Sequence, residues 1–276
     1  MIWKELNTNV EFGFLRPVAV MLIWSFLCFT ILLSLSLLVD LPSSQERVGN
    51  VTNPIVRGAG TVLVSFTLLF IALSAAHRIS RERERRTLDG LLLTPLDREE
   101  ILFTKCLGSI WSVRWILFFL APIWALGLIT GGLHVAALPL VLSACLVFAG
   151  FMASLGLWFS MVSRTTLRAT MFTLLASLVF IVGPGLYMKT VGGRSFSRLG
   201  AEPAWDELLL DHGLTPPVNL WTLSFHTGDF KDGDPEPIAR IMASLVGLHF
   251  YMLLIVILWA SMLYRLRSET GPPARR

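Results

Sequence analysis

Six stretches of this chain are long, apolar and almost free of charge: residues 17–39, 59–76, 107–130, 138–162, 167–188 and 241–263. A helix that crosses a bilayer needs about 20 mostly apolar residues, because the hydrocarbon core is about 30 Å thick and each residue rises about 1.5 Å. No Asp or Glu lies inside these runs, and the one clear charge is Arg114. Spanning demands this scarcity, since a charge at mid-membrane costs about 2.5–3.5 kcal/mol even on modest scales. Transmembrane strands are excluded, because the runs are too long and lack strict alternation. The first run also exceeds the about 7–15 apolar residues of a secretory signal, and Val39-Asp40-Leu41-Pro42 offers no small-residue cleavage site. It reads as an uncleaved first helix. The expected fold is an all-α integral membrane protein, with residues 1–276 forming one domain of six transmembrane helices.

Composition agrees with this reading. Hydrophobic residues make up 54% and charged residues 15%, against about 45–50% and about 25% in soluble domains. Three cysteines make no disulfide framework. Of the 23 Lys and Arg, 15 fall beside the N-terminus, in the loops 77–106 and 163–166 with their flanks, and in the C-terminal tail. Seven fall on the other side, five of them between residues 189 and 240, where acids accompany them. The excess of basic residues in cytoplasmic loops predicts that both termini and the 77–106 loop are cytoplasmic and that 189–239 is extracytoplasmic. The net charge of +4 follows from this asymmetry and gives no reason to invoke nucleic acid.

The sequence lacks the residues of an enzyme. It has no G-x-x-x-x-G-K-[ST] phosphate loop, no H-E-x-x-H and no G-x-S-x-G. Asp232-Gly233-Asp234, with prolines at Pro235 and Pro237, reads as a solvated turn. Cys28, Cys106 and Cys145 lie in or beside the apolar runs and read as packing residues. No catalytic residue, metal ligand or cofactor-binding residue is expected on this chain.

The informative stretch is His77 to Lys105, HRISRERERRTLDGLLLTPLDREEILFTK. Arg78 with Glu82, and Glu82 with Arg86, place opposite charges four apart, which supports a helix. Leu88, Leu91 and Leu92 then define a short apolar face, and Gly90 and Thr94-Pro95 interrupt it. Asp97 with Glu100 forms a capping box for the next helix. A positive-inside lipid anchor is one reading of this loop. The glutamates among the arginines favour the other, a brief amphipathic element that docks on a partner protein of complementary charge.

The string Glu82-Arg83-Glu84-Arg85-Arg86-Thr87-Leu88-Asp89-Gly90-Leu91-Leu92-Leu93-Thr94-Pro95-Leu96, followed by Arg98-Glu99-Glu100-Ile101 and Lys105, resembles a stretch of the ABC-2-type permeases of ATP-binding cassette transporters. Six spans and a long outer loop before the last one extend the resemblance over most of the chain. It implies a coupling helix between spans two and three that docks on a separate ATPase subunit. Glu82, Glu84, Arg85, Arg86, Thr87, Leu88, Leu91, Leu92 and Pro95 would form that contact. It further implies a second permease copy or a paralogue, a bacterial inner (plasma) membrane, and ATP and Mg bound on the ATPase and not on this chain. The expected function is the permease subunit of an ATP-driven exporter. The rival is a non-transporting membrane scaffold that recruits a cytoplasmic partner through the same loop. The substrate is not legible.

Three secondary features complete the reading. Arg114 between Trp111 and Trp115 is expected to snorkel toward the cytoplasmic interface. Ala149, Gly150, Ala153 and Ser154 place small residues four apart and permit close helix packing, within the chain or between copies. Gly183-Pro184-Gly185 is expected to break or kink the fifth run near its outer end, as a hinge or a simple terminus. The loop 189–239 should contain local helix at the outer surface, since a structureless loop of that length is unusual.

Overall fold

The computed structural model describes residues 45–84, 98–187, 209–225, 229 and 236–269, and these contain helix and turns but no strand. The helices are α1 (Gln45–Glu84), α2 (Arg98–Trp111), α3 (Arg114–Ile129), α4 (Ala137–Val162), α5 (Thr166–Tyr187), α6 (Pro216–Leu223) and α7 (Glu236–Glu269), with a π-helical turn at Leu209–Gly213. Four helices are long and apolar enough to cross a membrane, or five if the bent pair α2–α3 counts as one crossing. The expected run 17–39 lies outside the described residues.

α4 and α5 match the expected runs to within one residue at each end. A tight turn separates them, in which the Thr165 hydroxyl accepts from the Arg168 N–H at 3.4 Å, an N-terminal cap. Two expectations need correction. The run at 59–76 is only the middle of α1, a helix of 40 residues that begins at Gln45. The run at 107–130 is not one straight span, because α2 stops at Trp111 and α3 restarts at Arg114. Beyond that break, the stretch Leu102–Ile116 is bent by 57° against Phe118–Ile129. Neither Pro54 in α1 nor Pro122 in α3 ends its helix.

α1 and α4 form the centre of the bundle. More than half of their apolar windows is buried, 56% and 61%, against 17% for α5 and 28% for α7. The two central helices run parallel, with Gly156 beside Ala72 and Ser160 beside Ile79 and Ser80, and they meet closely at Gly156, where a Cβ would press on the Ala72 carbonyl oxygen. Beside that crossing, Phe148 and Phe151 of α4, Phe180 of α5 and Tyr251 of α7 pack edge to face at about 5 Å. Within the loop 189–239, the turn Leu209–Gly213 and α6 pack into the bundle, with Trp221 on the exposed side of α6. Asn219, Leu220 and Leu223 are fully buried. The turn approaches α7 so closely that a Cβ on Gly247 would sit 2.0 Å from the Gly213 carbonyl oxygen. Tyr251 donates from its hydroxyl to Leu214 O at 2.6 Å, and the Asn219 amide donates to Ser244 O at 2.9 Å.

At one end of the bundle α1, the α3–α4 turn and the segment after α6 are tied together by polar contacts. Gly131, at φ 73°, turns the chain out of α3. The hydroxyls of Thr52 and Thr130 lie 3.0 Å apart. The Asn53 amide donates to Gly132 O and, at 3.3 Å, to Ser224 O. Arg57 donates from Nε to Ser224 O at 2.6 Å, pairs with Asp229 and lies over the Trp221 ring. Such contacts explain why the polar segment before residue 59 is helical: its side chains are satisfied by tertiary partners.

Candidate coupling site

The opposite end of the bundle collects the basic residues, and the last turns of α1 lead into the segment singled out in the sequence. Glu82 accepts from Lys105 Nζ of α2 at 2.6 Å. Lys105 is 2% exposed, so its ammonium sits inside the fold beside this carboxylate. One turn earlier, the Arg78 guanidinium lies against Gly108 of α2, where a Cβ would be 2.9 Å from its Nη1. Glu84 is exposed, and its carboxylate accepts from the Thr166 backbone N–H at 2.6 Å. Thr166 is the first residue of α5. An acidic group there satisfies a free N–H and complements the positive end of the helix dipole. The Thr166 N–H holds the Glu84 carboxyl below the ordinary carboxylate range.

α4 also enters α1 at this end. Ser160 Oγ accepts from the N–H groups of Ile79 and Ser80 at 3.2 and 2.8 Å. Arg265 near the end of α7 lies over the Trp158 ring at 6.0 Å. The charged end of α1 is thus joined to α2, α4 and α5.

Of the residues expected to form the coupling contact, Glu82 and Glu84 are placed as above. Arg85, Arg86, Thr87, Leu88, Leu91, Leu92 and Pro95 lie outside the described residues. The small-residue face on α4 is used within the chain: Ala149, Ala153 and Ser154 are buried. A Cβ on Gly150 would meet Ile255 of α7 at an ordinary 3.5 Å. Ser154 Oγ accepts from the Trp259 indole N–H of α7 at 3.0 Å and donates to Gly150 O at 2.7 Å. The backbone of α5 stays helical through Gly183, Pro184 and Gly185 and ends at Tyr187, just beyond them. Lys105 and Thr166 were not read as partners of the two glutamates. The signal for Lys105 was its place at the end of the same motif, whereas Thr166 carries none.

Residues 18–266 match the family model described as ABC-2 family transporter protein. The chain belongs to that family. No curated protein matches the sequence. An ABC-2 permease is a membrane transport component, generally non-catalytic, that typically works with an ABC ATPase. The apolar helices and the family together make this chain a multi-pass membrane protein. Among the described residues of the permease, no three His, Cys, Asp or Glu gather as a metal site.

Proposed function

We propose that this chain is the transmembrane subunit of an ATP-driven exporter of the bacterial inner membrane, with both termini cytoplasmic. It pairs with a second copy or a paralogue, and it is driven by a separate ATPase that docks on the 77–106 loop and carries the ATP and Mg. The observation that supports this most is the way the described glutamates of the family motif are used. Glu82 ties the end of α1 to Lys105 of α2, and Glu84 ties it to the start of α5. Movement imposed on the segment between α1 and α2 is delivered to three helices at once. Closure of two ATPase subunits on ATP would pull those roots together and switch the pathway from inward to outward access.

The test is affinity purification of the tagged permease from its native membrane in mild detergent, followed by identification of what co-purifies. An ATPase with a phosphate loop is expected, and Leu91→Asp should release it with the permease still folded. Thr166→Pro separates docking from transmission. Proline is tolerated at the first helical position, and it removes the N–H that Glu84 accepts from without altering Glu84. The ATPase should stay bound to that variant while ATP-dependent transport falls. Repeated recovery of a folded permease without any ATPase would sink the transporter reading and bring the scaffold forward.

A further inference from the structure

Arg114 stands at the break between α2 and α3. Its guanidinium carbon lies 5.3 Å from the Trp111 ring centre and 5.7 Å from that of Trp115. Both tryptophans face out of the chain, 46% and 54% exposed, and Phe118 beyond them is 70% exposed. Along α2 the exposed Phe103 and Leu107 continue the same apolar surface. No carboxylate among the described residues pairs with Arg114, and the first turn of α3 holds no acidic residue. Among the described residues, the surface is therefore an aromatic and apolar strip around one uncompensated cation.

Its depth follows from α1. Gly108 lies against Arg78, the first arginine of the charged end, and the Ser112 hydroxyl lies 3.3 Å from that of Ser74, one turn further in. Arg114 is six residues beyond Gly108, a rise of about 9 Å along the helix. A long side chain at that level reaches back toward the headgroups, with tryptophans at the boundary between apolar and wet regions. A phospholipid presents the same layout in reverse, with an anionic phosphate above a glycerol and two apolar chains. A protein partner would place one buried charge in an apolar contact, whereas a lipid neutralises the charge and leaves the strip in hydrocarbon.

The geometry points to a binding site for the phosphate of an anionic phospholipid, formed by Arg114 between Trp111 and Trp115 at the break between α2 and α3. The lipid comes from the leaflet on the basic side of the protein. Arg114 supplies the charge, and the two exposed rings flank the glycerol region. The site does not depend on the identity of the ATPase or the substrate.

Native mass spectrometry on the full chain, extracted from nanodiscs of phosphatidylglycerol and phosphatidylcholine at equal mole fraction, tests the assignment. The wild type should retain phosphatidylglycerol in preference. Arg114→Gln should lower the bound ratio about fivefold, the effect of one basic group at an anionic surface. Arg114→Lys should keep most of the preference, and the Trp111→Leu/Trp115→Leu variant should lose bound lipid of both kinds. Arg164→Gln, an exposed arginine in the α4–α5 turn, is the control and should leave the ratio unchanged. A wild type without preference, or equal losses at Arg114 and Arg164, would overturn the site. Efficient disulfide cross-linking of Trp115→Cys between two copies would overturn it too, by showing that protein covers the strip.

Discussion

Glycine at residue 156 exists to let two backbones touch. A methyl group there would press on the carbonyl of Ala72 and on the Cβ of Ala75 at 2.8 Å, and backbone cannot move aside as a side-chain tip can. Gly156→Ala should lower stability by about 1–3 kcal/mol. Gly150→Ala, which meets only Ile255 at contact distance, should leave thermal unfolding in detergent nearly unchanged. Equal melting temperatures for the two variants would contradict the close crossing. Glu84 gives a prediction in pH. Its carboxyl is depressed by the Thr166 N–H, so its contribution is present above the ordinary carboxylate pKa. It is lost as pH falls through the lower folded value. Hydrogen exchange at the Thr166 amide should accelerate across that acid window in the wild type. In Glu84→Gln the exchange should lack the step. None of this was legible in the sequence, where Gly156 and Gly150 look alike and Thr166 follows an ordinary turn.

At the scale of elements, legibility depended on where polar residues find partners. The ends of α4 and α5 could be read because apolar runs flank a short polar turn. The start of α1 could not, because Thr52, Asn53, Pro54 and Arg57 look like a loop until Thr130, Gly132, Ser224 and Asp229 are brought beside them. The break at Ser112–Val113 was equally hidden. It contains neither Gly nor Pro, while Pro122, the apparent breaker, lies inside α3. The join between α1 and α2 can be tested by a double-mutant cycle. Lys105 is nearly inaccessible and Glu82 is 26% exposed, so removing either partner alone leaves a poorly solvated charge. Glu82→Gln and Lys105→Met should each destabilise by up to about 3–5 kcal/mol, and the double variant should recover part of the loss. Strict additivity in denaturant unfolding would show that the two residues act independently.

For the whole molecule, the all-helical class and the family were both legible, since apolar runs and a motif of charged and small residues survive without knowledge of packing. The arrangement of the bundle was not, because it rests on contacts between residues far apart in sequence. α1 joins the two ends of the protein as a single helix of 40 residues, about 60 Å long and about twice the thickness of a hydrocarbon core. The polar ties of Thr52, Asn53 and Arg57 at one end and those of Glu82 and Glu84 at the other are therefore set by angular phase along one axis. One alanine inserted after Phe66 would rotate the two glutamates by about 100° relative to Arg57, and Lys105 and Thr166 would face the wrong side of the helix. Seven inserted residues would restore the angle to within about 20° while separating the ends by about 10 Å more. Scanning insertions through α1 should thus yield a periodic dependence of folding on insert length. Each turn of this helix keeps the two faces of the protein in step.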